Sequence, residues 1–273
     1  MTGLTSRAWR ASPFIKASVA LHVAAAAAVL ARPRVWPWAL GAVLADHLAL
    51  TAAGLWPRSS LLGPNWTRLP EAAAARGAIA ITIDDGPDPE VTPKVLALLG
   101  ARGVTATFFC IGTQLEQHPD LAREIHARGH AIENHSYRHP NTFSLLGPAA
   151  MAAEVARGQD CIVQAIGAAP RFFRAPAGLR NPFLQPVLAR LGLQLASWTR
   201  RGFDTVNGDA TAVLARLTRS LAAGDIVLLH DGHAARSRAG VPVILEVLPR
   251  LLDAVAARAL EPVTLRGSLA AGA

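Results

Sequence analysis

Two stretches hold the residues best suited to chemistry. Ile79-Ala-Ile-Thr-Ile-Asp84-Asp85-Gly86-Pro87 ends an apolar run on paired carboxylates. About fifty residues later, Glu133-Asn134-His135-Ser136-Tyr137-Arg138-His139 offers two histidines four apart. One carboxylate and two imidazoles form a ligand set for a divalent ion. Three protein ligands leave a position for water, the pattern of a hydrolytic metal site rather than a structural one. The spare aspartate is then a candidate general base. Each element also has an ordinary explanation. Asp-Gly-Pro is common in turns, and histidines at i,i+4 share a face only where the chain is helical.

Three later stretches add to the set. Arg174-Ala175-Pro176-Ala177-Gly178 puts an arginine before a rigid turn, and Trp198-Thr-Arg-Arg-Gly-Phe-Asp204 puts a carboxylate after an apolar segment. Ile226-Val-Leu-Leu-His230-Asp231-Gly232 ends a strongly apolar run on a histidine, a residue poised to act as a general acid.

The elements that must position these residues alternate between strand and helix patterns. Strands are expected at 78–83, 104–110, 130–134, 171–174, 193–198, 225–230 and 262–265. Helices are expected at 90–101, 119–128, 148–166, 181–191 and 241–258. Repeated β-then-α units imply a parallel sheet or barrel. The polar motifs follow strands, at the carboxyl edge where barrel active sites form.

In this order, the five motifs resemble the polysaccharide deacetylase family, also called the NodB-homology or carbohydrate esterase family 4 domain. The resemblance covers roughly residues 77–265. It implies an α/β fold, a distorted (β/α) barrel of about seven parallel strands. It also implies roles: Asp84 as catalytic base, and Asp85, His135 and His139 as ligands of a divalent metal, usually zinc. Arg174 would orient the base, His230 would be the catalytic acid, and Asp204 would tune that histidine. Two positions depart from the family pattern. Thr205 stands where the family often has tryptophan, and Ala177 where it often has tyrosine, although the Ala177 N–H that helps bind the oxyanion remains. Both changes fall on substrate contacts and leave the metal and acid/base set intact.

Composition narrows the class further. Of 273 residues, 51% are apolar, enough for a large core. Cys110 and Cys161 are too few for a disulfide framework, and Cys110 reads as a buried small hydrophobe. The net charge of +8 is concentrated before Gly77, where eight Lys and Arg face only Asp46 and Glu71. Such asymmetry fits a membrane-proximal segment, and no nucleic-acid partner is expected.

Residues 1–56 read as a membrane-attachment segment of one or two helices. Apolar runs at 17–31 and roughly 39–56 carry basic flanks, with Trp36, Trp38 and Trp56 at the ends of the second. Asp46 and His47 interrupt that run and need partners at mid-bilayer. With Arg7, Arg10 and Lys16 favouring an inside N-terminus, a hairpin returns the catalytic domain to the cytoplasm and a single span places it outside. The attachment is expected at the cytoplasmic membrane, with the face of the domain open. Residues 57–76 read as a linker and 77–273 as the catalytic domain.

The sequence thus describes a metal-dependent amidase. It would remove an N-acyl group, N-acetyl foremost, from an amino sugar in a polysaccharide or glycoconjugate. The partners would be that glycan or a lipid-linked sugar, together with membrane lipids. One rival is a deformylase or deacylase of a lipid-linked amino sugar. Another is an inactive carbohydrate-binding descendant, against which the complete motif set argues.

Overall fold

The computed structural model describes residues 9–269. Two long helices lead, α1 (Pro13–Ala31) and α2 (Trp36–Leu55), joined by a 3-10 turn at Pro33–Val35. A short α3 (Glu71–Ala74) precedes β1 (Ala78–Asp84), α4 (Thr92–Gly100), β2 (Thr107–Cys110), α5 (Gly112–Gln117) and α6 (Pro119–Ala127). Next come β3 (Ala131–Asn134), α7 (Pro148–Ile166), β4 (Phe172–Phe173), α8 (Leu184–Arg190), β5 (Gln194–Leu195) and β6 (Arg200–Arg201). The chain continues with α9 (Ala210–Thr218), β7 (Ile226–His230), α10 (Val243–Ala256) and β8 (Glu261–Pro262).

The strands run parallel in the order β5-β4-β3-β2-β1-β7-β6, and β8 pairs with the start of β1. This is the expected distorted (β/α) barrel of about seven parallel strands. Strand β1 lies between β2 and β7, and its side chains alternate between the two faces of the wall. Ile79, Ile81 and Ile83 point into the outer layer, against Val95 and Leu99 of α4 and Val247 and Leu251 of α10. Ala78 and Ala80 point inward, where small side chains leave room for Phe109, Phe172 and Trp198. On the same alternation, Thr82 and Asp84 continue the inner face, so the sequence Ala-Ile-Thr-Ile-Asp delivers a carboxylate to the carboxyl end of the barrel interior.

Residues 57–76, expected as a linker, also form part of the barrel wall. Trp66 N donates to Leu195 O (2.9 Å) and Ser197 N to Trp66 O (2.8 Å), adding a parallel bridge at the free edge of β5. The segment then reaches the foot of β7, where Leu69 N donates to Gly224 O (2.9 Å). Asp225, fully buried there, accepts from Arg68 (2.9 Å) and Arg200 (2.7 Å). The Trp66 ring stands edge-on to Phe172 at 5.0 Å, in the inner core.

Helices α1 and α2 form a hairpin whose apolar surface is mostly uncovered. Val19, Val23, Leu40, Leu44 and Leu48 are exposed, and both helices are long and apolar enough to cross a membrane by length and composition. Asp46 has partners across the pair: Ser18 Oγ donates to it at 2.6 Å, while His22 and His47 meet at 3.2 Å. The base of the hairpin is fixed to the barrel by Ser12 Oγ on Leu61 O (2.6 Å) and Arg180 N on Gly54 O (3.1 Å). A Cβ at Gly54 would lie 2.2 Å from the Arg180 oxygen, so only glycine allows this approach.

The remaining differences are local. Helices α5 and α9 and strand β6 were not expected, and α9 begins where the Asp209 side chain accepts from Thr211 N and Ala212 N. Cys110 and Cys161 are both free and buried, so no bridge forms between them.

Because Trp66 joins the barrel core, Trp66→Ala should destabilise the protein by on the order of 3 kcal/mol. Urea denaturation read by circular dichroism checks this. An unchanged midpoint would mean that residues 57–70 are only a connection.

Candidate active site

Asp84, the candidate base, sits in a buried ion pair. Arg174 Nη1 donates to Asp84 Oδ1 at 2.6 Å, and both side chains are almost completely buried. The guanidinium also donates to Thr82 Oγ1 (2.8 Å), Ser197 O (2.8 Å) and Ala196 O (3.3 Å). The Phe109 ring lies 4.0 Å from its central carbon. Burial pulls the Arg174 pKa down, and the Asp84 charge opposes that pull. Asp84 Oδ2 points the other way, 3.7 Å from His135 Nε2.

The metal candidates converge as expected. Asp85 Oδ1 lies 3.3 Å from His135 Nε2 and 3.4 Å from His139 Nε2, and the three ligand atoms all lie within 4.8 Å of one another. His135 Nδ1 donates to Arg174 O (2.8 Å), which fixes the tautomer and leaves the Nε2 lone pair free to ligate. Asp85 Oδ1 is buried without a hydrogen-bond partner, although such atoms are nearly always paired. An ion at this point would satisfy it, so the donor set fits a divalent metal. Burial opposes ionisation of Asp85, but the close imidazoles of His135, His233 and His230 hold it far below the ordinary carboxylate range. Burial and the neighbouring His135 push His139 down to about 4, so its imidazole is neutral at pH 7.

The two histidines do not come together on a helix. After β3, Ser136 (φ 65°) and His139 (φ 53°) adopt left-handed backbone and fold the segment into a tight loop. The Asn134 side chain shapes that loop, accepting from Ser136 N (2.8 Å) and donating to Val155 O of α7 (2.8 Å). Asp85 (φ 77°), Ala177 (φ 53°) and His233 (φ 55°) are left-handed too. Non-glycine residues in such conformations cost roughly 1–3 kcal/mol each and gather at functional sites.

His230 ends β7 across the cleft. Its Nδ1 donates to Asp204 Oδ1 (2.9 Å), while its backbone N donates to Asp204 Oδ2 (2.8 Å). Burial pushes the His230 pKa down, but the buried Asp204 charge and hydrogen bond outweigh it and raise it to about 9. The imidazole is therefore protonated at neutral pH. Behind it, fully buried Asp231 accepts from Thr92 Oγ1 (2.5 Å) and Gly232 N (3.0 Å), and burial lifts its pKa to about 7.

Asp84, Asp85, His135, His139, Ala177 and His230 line one cleft of about 540 Å³. Arg174 and Asp204 do not reach it; they sit behind Asp84 and His230 and hold them. Thr113, Gln114, Arg138, Trp198, Arg201 and Thr205 complete the walls. His233 also lines the cleft, with Nδ1 3.4 Å from Asp85 Oδ2. The structural parts played by Thr92 and Asp231 were missed in the sequence. The His230-Asp231 dipeptide at a strand end was the available signal.

A (β/α) barrel with an Asp-His-His group that could hold a metal at its carboxyl edge, and a polarised histidine opposite, has the layout of a hydrolase. The polysaccharide deacetylase family model matches residues 71–196, and the chain belongs to that family, whose hydrolases act on non-peptide carbon–nitrogen amide bonds. Asp204 and His230 lie beyond the matched range. A chitooligosaccharide deacetylase from Bradyrhizobium is 36% identical over 157 residues, 57% of this chain and 71% of that protein. A peptidoglycan-N-acetylglucosamine deacetylase from Bacillus cereus is 34% identical over 175 residues, 63% of this chain and 81% of the relative. Among solved structures, a family 4 carbohydrate esterase from Streptomyces lividans in complex with acetate matches with a TM-score of 0.61. It is 33% identical, and the match covers 68% of this chain and 91% of that one.

Two outcomes follow from this geometry. Elemental analysis of the purified protein should find one divalent ion per chain, and Asp85→Ala or His139→Ala should remove it. Full occupancy in those variants would refute the ligand assignment. In Asp204→Asn the charge that raises His230 is gone, so its pKa should fall from about 9. As His230 works in its protonated form, the alkaline limb of the kcat–pH profile should then move to lower pH.

Proposed function

We propose that this protein is a metal-dependent N-deacetylase acting on N-acetylglucosamine units of chito-oligosaccharide or peptidoglycan. The observation that carries the reading is the orphaned Asp85 oxygen between two histidine nitrogens, in one cleft with the Asp84–Arg174 and His230–Asp204 pairs. A divalent ion bound there, zinc by the family's usual choice, would polarise the amide carbonyl and acidify a water.

The chain's own residues supply the proton transfers. Arg174 occupies Asp84 Oδ1, leaving Oδ2 to take the proton from the attacking water. The left-handed turn at Ala177 brings its backbone to the cleft wall, where its N–H would steady the developing oxyanion. Protonated His230, held at Nδ1 by Asp204, gives its Nε2 proton to the departing amine. Thr205 and Ala177 leave the cleft without two family aromatics, and Trp198 in its lining is buried, with no open face for a sugar to stack on.

The N-terminal hairpin attaches the enzyme to a membrane. Helix α1 has 19 residues and α2 has 20, lengths of about 30 Å that match a bilayer's hydrocarbon core. Trp36 and Trp38 are exposed near one end beside Arg32 and Arg34, and Trp9 and Trp56 near the other, as interfacial belts require. The Ser18–Asp46 bond reduces the cost of burying that carboxylate in lipid.

Incubation with N-acetylchito-oligosaccharide or peptidoglycan should release acetate, and a chelator should stop it. No acetate from either glycan would refute the activity. Full-length protein should pellet with membranes and stay there through a high-salt wash, which screens basic flanks but not apolar insertion. Release by salt would reduce the hairpin to a peripheral anchor.

A further inference from the structure

We propose that the catalytic rim of the barrel rests on the bilayer that holds the hairpin, so that the enzyme works on glycan presented at a lipid surface. The proposal rests on the attachment reading above. It commits to one partner, the lipid headgroup and upper acyl region next to the hairpin.

The hairpin leaves the barrel at the mouth of the active site. Helix α2 ends at Leu55, and two residues later Pro57 packs against the cleft wall: a Cβ at Gly178 would lie 2.7 Å from the Pro57 Cβ. The Pro57 carbonyl accepts from Ser197 Oγ (2.6 Å) and Asn65 Nδ2 (2.9 Å), and Gly54 is bonded to Arg180 just past the Ala177 turn. No flexible spacer separates the end of the apolar helix from the cleft. Wherever the bilayer surface meets Trp56, the cleft opens beside it.

The rim carries exposed apolar side chains among polar ones such as Arg138. Among the described residues after Leu61, the exposed large hydrophobic side chains are Leu145, Val163, Phe183, Phe203 and Val206. All but Val163 sit on loops that follow the carboxyl ends of β3, β4 and β6, the edge that carries the site. Leu145 and Val206 are 80% and 81% exposed. Asn181 Nδ2 donates to Ser144 O and Leu146 O (both 2.9 Å), tying the Leu145 and Phe183 loops together beside Arg180 and the hairpin base. Leu145, Phe183 and Val206 do not line the cleft, so they are not sugar-stacking walls. Leu145 and Phe183, tied through Asn181 and Arg180 to the hairpin base, extend its apolar surface, and Phe203 and Val206 add exposed tips on the same barrel edge, a pattern that fits a membrane contact.

The test uses full-length protein in phosphatidylcholine–phosphatidylglycerol vesicles. Native Cys110 and Cys161 are buried, so a bimane label on Val206→Cys reports that loop alone. Lipids carrying spin labels on their upper acyl carbons should quench it strongly. Protein that stays on the vesicles with an unquenched label overturns this proposal and leaves attachment standing. Protein that leaves the vesicles overturns both. The second arm compares free N-acetylchito-oligosaccharide with the same sugar conjugated to a vesicle lipid. The triple variant Leu145→Ser, Phe183→Ser, Val206→Ser should keep its kcat/KM on the free sugar and lose about tenfold on the conjugated one. Equal rates of variant and wild type on the conjugated sugar overturn the proposal. Acetate release from free sugar by both proteins keeps the activity reading separate from that outcome.

Discussion

The buried Asp84–Arg174 pair is the constraint on which the rest of the site depends. A charge taken out of water is expensive unless paired and fully hydrogen-bonded. Arg174 meets that condition by spanning the barrel interior. It reaches from the end of β4 to Asp84 and Thr82 on β1, and to two carbonyls at 196 and 197 past the end of β5. One guanidinium thus ties three strands together below the cleft. Its own carbonyl fixes the ring of His135, so the placement of Asp84 and that of His135 are set by a single residue. The second oxygen of Asp84 is left facing the cleft because the first is occupied.

The same low-dielectric setting separates the histidines into different roles. His139, pressed against His135 and buried, falls to about 4 and presents a neutral ring to a cation. His230, held by both oxygens of Asp204, rises to about 9 and carries a proton to give. Two imidazoles facing one cleft are thereby placed on opposite sides of neutral pH, His139 by burial and His135, His230 by Asp204 against its burial. Pushing such values apart is how one site can hold a ligand and an acid together.

Much of this was legible in the chain. The helix over 148–166 is observed with those bounds, and the strand expected over 78–83 is found one residue longer, ending on Asp84. All six residues expected at the reacting centre line one cleft, and the two expected to hold them stand behind it. What could not be read lacks a periodic signal. Strands of two residues, such as β4, β5 and β6, have no repeat to detect. The histidine loop depends on left-handed backbone at Ser136 and His139, whose side chains give no hint of it. Residues 57–70 joined the wall through isolated Trp66 and Leu69 between prolines, a pattern that reads as a connection until its partners are known.

In the proposed mechanism Asp84 accepts a proton and does not hold the metal, whereas Asp85 does the reverse. Asp84→Asn keeps the shape of the side chain and removes its basicity. Metal content and the rate of acetate release from N-acetylchito-oligosaccharide should therefore be measured together on this variant. The account predicts one ion per chain, as in the unaltered protein, with nearly all turnover lost. Loss of the ion would show that the two aspartates have been exchanged, and turnover at the original rate with the ion in place would contradict the mechanism itself.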